Sequence, residues 1–108
     1  MDSKNKGWVK IHRKIFEWDG YQDRPFNYVA AWVDLLLLAR YDEKPETFYV
    51  RHIPVTVERG QLAWTEERLG ERWGWSRTKV RLFLERLKKI QQIRLEKSAV
   101  ISKITIIN

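Results

Sequence analysis

The stretch Thr65-Glu-Glu-Arg-Leu-Gly-Glu-Arg-Trp-Gly-Trp-Ser-Arg-Thr-Lys-Val-Arg-Leu-Phe-Leu-Glu-Arg-Leu-Lys-Lys-Ile90 reads as two helices around a tight turn. Thr65 is suited to cap the first helix, and Glu66 and Glu67 place negative charge where the helix dipole favours it. Leu69 and Trp73, four apart, share a face. Gly74 tolerates a positive φ and ends the helix. Ser76 then caps a second helix, whose apolar residues Val80, Phe83, Leu84, Leu87 and Ile90 keep helical spacing. Gly70 lies inside the first helix, where glycine costs ~1 kcal/mol relative to alanine. Close passage of the second helix would explain it. A small residue, a glycine four on, and apolar residues at Val80 and Phe83 give the spacing of a helix-turn-helix. An ordinary helical hairpin is the alternative.

The flanks extend this reading. Downstream, Ile93 and Leu95 alternate, as do Ile104 and Ile106, so residues 93–107 form a β-hairpin with Lys97 and Lys103 near its tip. Upstream, Gln61–Trp64 is a short strand that would pair with the hairpin as a third strand. Residues 47–57 are β-branched and aromatic, which suggests extended structure with Pro54 at an edge or bend. Residues 26–40 form a core helix, apolar almost all round and capped by Asn27, with Asp34 expected on its exposed edge. Trp8, Ile11, Ile15 and Trp18 recur every three or four residues, so 7–18 is read as an amphipathic helical extension. Helix, short strand, helix, turn, helix, hairpin is the order of a winged helix. The expected fold is α+β: one domain over 1–108, a winged helix-turn-helix (65–90) with an N-terminal helical extension and a β-hairpin wing (93–107).

Composition bounds the chemistry. The chain has 108 residues, enough for one modest core. Cysteine is absent, so neither disulfides nor a thiolate metal site exist, and a reducing, cytoplasmic setting is expected. The longest apolar run, Leu35 to Ala39, is too short to span a bilayer, so no membrane role is expected. His12 and His52 lack metal-spaced companions. The scattered glycines form no phosphate-cradling loop, and no nucleophile–base pair is visible. An enzyme is not expected, nor is a cofactor or metal. Net charge is +7, concentrated late: residues 65–108 carry eleven Lys/Arg against five Asp/Glu, while 1–64 carry ten against nine. Between Ser76 and Lys89 there are six basic residues and one acid. A basic second helix in a helix-turn-helix is an electrostatic footprint for nucleic acid.

Several segments together also resemble a known family: Gly7-Trp-Val-Lys-Ile-His-Arg-Lys-Ile-Phe-Glu-Trp18, Val57-Glu-Arg-Gly-Gln-Leu62, Leu69-Gly-Glu-Arg-Trp-Gly-Trp-Ser76, Val80-Arg-Leu-Phe-Leu-Glu-Arg-Leu87 and Thr105-Ile-Ile-Asn108. They resemble the N-terminal domain of DnaD-like primosomal proteins and phage replisome organisers. The resemblance implies a winged helix that binds DNA, self-associates and acts at a replication origin to help load a helicase. Such proteins usually carry a further C-terminal region, so a domain fragment or a short stand-alone relative is expected.

The first functional expectation is therefore a duplex-DNA binder with helix 76–90 in the major groove. Arg77, Thr78 and Arg81 are the candidate base-edge readers. Ser76, Lys79, Arg86, Lys97 and Lys103 are candidate phosphate contacts. Leu82, on the exposed face, would meet a thymine methyl or a partner. The rival expectation is an oligomerisation or partner-docking module with little DNA binding, using Trp8, Ile11, Ile15 and Trp18 as an aromatic patch and 47–57 as an added edge. Expected partners are DNA, a second copy of the chain, and replication proteins such as a helicase or its loader. A phage-type transcriptional repressor using the same surface is the narrower option.

Overall fold

The computed structural model describes residues 13–98 and 100–107. Among these residues, three α-helices, α1 (Tyr28–Leu38), α2 (Glu66–Trp73) and α3 (Arg77–Lys89), combine with five strands, β1 (Glu46–Val50), β2 (Ile53–Val57), β3 (Gln61–Trp64), β4 (Ile93–Lys97) and β5 (Ser102–Ile106). The fold is α+β. Trp8 and Ile11 lie outside the described residues.

Each helix starts where a side chain can satisfy a free backbone N–H. Asn27 accepts from the Ala30 N–H at 2.7 Å, Thr65 from Arg68 at 3.0 Å and Ser76 from Lys79 at 3.1 Å. Gly74 ends α2 at φ +74, and the N–H of Trp75 reaches the Gly70 carbonyl at 2.8 Å. A β-carbon at Gly70 would lie 2.6 Å from the Trp75 carbonyl oxygen and 3.6 Å from Val80 Cγ2. The glycine is thus required mainly by the turn's own backbone, and only secondarily by the second helix. α3 ends on Gln91, at φ +63, where the N–H of Gln92 bonds the Leu87 carbonyl at 2.9 Å. Ile90 falls on this cap, so it is 57% exposed instead of completing the apolar stripe.

β3, β5 and β4 form an antiparallel sheet in that order, with Leu62 and Leu95 both opposite Ile104. This register puts alternate apolar residues on one face. That face meets Leu35, Leu69, Trp73, Val80 and Leu84, all fully buried. Trp73 is in the core as expected, whereas Trp32 and Trp64 are half-buried at its edge.

The extended segment at 47–57 folds back on itself. β1 and β2 pair antiparallel around Arg51 and His52, both at positive φ (51 and 68). A two-residue loop with both φ positive is the hairpin turn that matches strand twist. Pro54 sits within β2, opposite Tyr49.

Asp34 is the largest departure from expectation. It is fully buried, not on an exposed edge. Its carboxylate accepts from Arg72 Nε at 2.6 Å and Nη2 at 3.0 Å, from Trp73 Nε1 at 2.8 Å, and from the Tyr21 hydroxyl. Burial alone would push this carboxyl up; the hydrogen bonds from Arg72, Tyr21 and Trp73 outweigh burial and hold it below the usual carboxylate range. The same contacts raise Tyr21, mainly through its burial and then its bond to Asp34, and raise Arg72 through its bond to Asp34. One carboxylate thereby fixes the angle between α1, α2 and the segment before α1.

A short amphipathic helix is expected within 7–18, of which residues 7–12 lie outside the described residues. The described chain before α1 forms a 3-10 turn at Arg13–Glu17 and another at Asp19–Gln22. The i to i+3 bonds, such as Trp18 N–H to the Ile15 carbonyl at 3.1 Å, wind the chain more tightly than an α-helix. Ile15 packs against the core. Trp18 is 64% exposed and lies across Gly20, where a β-carbon would meet its ring. Ile15 and Trp18 therefore do not present one shared aromatic patch.

Candidate nucleic-acid interface

α3 buries Val80, Phe83, Leu84 and Leu87 and turns the rest of its surface outward. Its exposed ridge holds Arg77, Thr78, Arg81, Leu82 and Lys89, with Leu82 64% exposed. Helical geometry gives this ridge two flanks, each backed by a different part of the fold.

The first flank faces α1. Tyr28 stacks on Phe83, with ring centres 5.6 Å apart and an interplanar angle of 21°. Trp75 stands edge-on to Tyr28, Trp73 and Phe83. It is buried, and its indole N–H donates to the Phe26 carbonyl at 2.8 Å. Lys79 Nζ lies 4.5 Å from the Trp75 ring centre and 5.4 Å from that of Tyr28, while Arg86 reaches Tyr28 at 6.0 Å. These cation–π contacts hold both cations beside an aromatic that is itself 52% exposed.

The second flank faces the β4–β5 hairpin. Glu66, whose side chain is 11% exposed, takes Arg81 Nε at 3.4 Å on one oxygen and Lys97 Nζ at 3.5 Å on the other. Lys97 also reaches Glu85 at 3.1 Å. The acid at the start of α2 therefore links α3 to the hairpin as well as complementing its helix dipole.

The sequence-derived candidates separate accordingly. Ser76 is engaged as the α3 cap. Arg77 and Thr78 are exposed on the first turn, and Arg77 forms no ion pair among the described residues. Arg81 and Lys97 already hold carboxylates; Lys79 and Arg86 hold aromatic rings. Lys103 pairs across from Glu96 and Ala63, so by strand alternation it projects from the face opposite that of Leu95 and Lys97. The two hairpin lysines do not work on one side of the sheet.

Three contributors were not foreseen from sequence. Tyr28 lies just after the α1 cap, off the apolar stripe. Glu66 carries a helix-start signal that conceals its pairing. Arg51 sits in a hairpin turn with no glycine or asparagine to mark it. The chain matches no protein-family model, no curated protein and no solved structure. No helix among the described residues is long and apolar enough to cross a membrane.

Proposed function

We propose that the chain is a non-enzymatic, DNA-binding winged helix of the replication-initiation type, akin to DnaD-like primosomal proteins and phage replisome organisers. In this reading α2 and α3 are the helix-turn-helix and β4–β5 is the wing. α3 lies in the major groove with its N-terminal turn toward the bases. The observation that carries the reading is the position of the charge. Six basic residues against one acid fall between Ser76 and Lys89, on the helix whose opposite side builds the core. Arg77 is the cation of the first turn best placed to reach the DNA, because it is exposed and forms no ion pair among the described residues. Arg81 joins it by exchanging Glu66 for a phosphate or a base. Lys79 and Arg86, held at the Tyr28 ring, supply phosphate contacts that set register.

The test is anisotropy of a labelled duplex across a salt series, with Arg77→Ala/Arg81→Ala alongside. Binding should fall with a log–log slope of about −0.9 per neutralised phosphate, and the double variant should bind more weakly with a shallower slope. Equal binding by the double variant would remove α3 from the interface.

A second reading, a docking or self-association module, is favoured by one observation. Tyr49 and Ile53 on the β1–β2 hairpin are 71% and 49% exposed, one on each face by strand alternation, so both faces of its outer end are open to a partner. Light scattering on Tyr49→Ser/Ile53→Ser tests it. A mass unchanged from that of the unsubstituted chain would remove this hairpin from self-association.

A further inference from the structure

A cleft of about 400 Å³ opens between the start of α3, the β1–β2 turn and the tip of the β4–β5 hairpin. Its walls carry Arg51, Arg77, Arg81 and Lys97 against Glu66 and Glu67. Four cations from three separate elements thus face two acids. One of those acids, Glu66, is already shared between Arg81 and Lys97. Arg51 and Arg77 form no ion pair among the described residues. Two of the wall hydroxyls are occupied locally: Thr65 caps α2, and Ser98 bonds the Val100 and Ile101 backbone within the hairpin tip. The walls thus carry four cations against two acids, with Arg51 and Arg77 unpaired among the described residues, in a concave surface that focuses the field.

We propose that this cleft is a phosphate-binding site that grips one phosphodiester of a nucleic-acid backbone, with Arg51 and Arg77 as its principal ligands. The inference rests on the DNA-binding reading and adds a second arm to it. The β1–β2 hairpin contacts the backbone beside α3. Both turn residues of that hairpin sit at positive φ, which aims Arg51 from a short, defined loop. Guanidinium groups suit this task because their planar fork matches two phosphate oxygens. Glu66 is the internal competitor: it holds Arg81, and with Glu85 it holds Lys97, until a phosphate takes its place.

The test compares Arg51→Asn and Arg51→Lys with the unsubstituted chain. Asparagine removes the charge yet tolerates the left-handed backbone, and lysine keeps the charge. Losing one phosphate contact should make the salt slope shallower by ~0.9 and weaken duplex binding by ~8-fold at 0.1 M salt. Arg51→Lys should recover most of that loss. A double-mutant cycle with Arg77→Gln should be non-additive, because both groups share one ligand. Equal duplex binding by Arg51→Asn, with Arg77→Ala/Arg81→Ala still impaired, would overturn the cleft while leaving the DNA-binding reading intact. No duplex binding by the unsubstituted chain at low salt would overturn both. A titration with inorganic phosphate at constant ionic strength separates the sources. Saturation by phosphate that Arg51→Asn abolishes, with duplex binding unaffected, would make the cleft a free-anion site and refute the backbone assignment.

Discussion

Replacing Arg72 with alanine would leave the Asp34 carboxylate buried with its charge partner gone. Asp34 is fully inaccessible, and Arg72 supplies two of the four hydrogen bonds it receives, at 2.6 and 3.0 Å. Tyr21 and Trp73 would remain, but neither carries positive charge. Removing one partner of a buried pair costs about 3–5 kcal/mol, because the other charge stays desolvated. Domains of this size have stabilities of about 5–15 kcal/mol, so the variant should lose a large share of its margin. Urea unfolding followed by tryptophan fluorescence measures this directly. The pH dependence of stability carries the same signature. In the parent chain Asp34 is held below its unfolded value, so its contribution is complete above the ordinary carboxyl pKa of ~3.9 and is lost as pH falls through the lowered folded value. In Arg72→Ala, burial prevails over the remaining bonds and the loss on acidification should begin at higher pH. A cost under ~1 kcal/mol with an unchanged acid profile would refute the view that this pair joins α1 to α2.

Other substitutions probe other contacts. Gly70→Ala brings a β-carbon to 2.6 Å from the Trp75 carbonyl and should cost about 1–3 kcal/mol by chemical denaturation, since backbone must move. Gln91→Gly relieves a positive φ of 63 at the end of α3 and should gain about 0.5–1 kcal/mol in the same assay. Glu66→Gln frees Arg81, leaves Lys97 to Glu85, and should tighten duplex binding while steepening its salt slope; weaker binding by a folded variant would show that Glu66 positions these cations instead of competing for them.

Much of the framework was legible because it rests on local chemistry. Asn27, Thr65 and Ser76 cap the three helices, and Gly74 takes the left-handed turn, all as their side chains dictate. Alternation at Ile93, Leu95, Ile104 and Ile106 marked the hairpin, and Gln61–Trp64 joined it as the third strand. What the sequence concealed is non-local. Asp34 looked like a surface residue because its partners are 13, 38 and 39 positions away. The β1–β2 hairpin was hidden because Arg51 and His52 are unusual occupants of a turn that glycine and asparagine normally signal. For the candidate interface, charge and helical spacing identified the α3 ridge. They could not show that three cations of α3 and one of the hairpin are already engaged, Arg81 and Lys97 by carboxylates and Lys79 and Arg86 by rings.

Titration of the ¹⁵N-labelled chain with a short duplex, followed amide by amide, tests the central claim most directly. Binding through α3 predicts that the largest shifts fall on Arg77–Arg86, the Arg51 turn and the Ser98 side of the hairpin tip, and that they reverse with added salt. Shifts confined to β1 and β2 around Tyr49 and Ile53, or none at low salt, would contradict it.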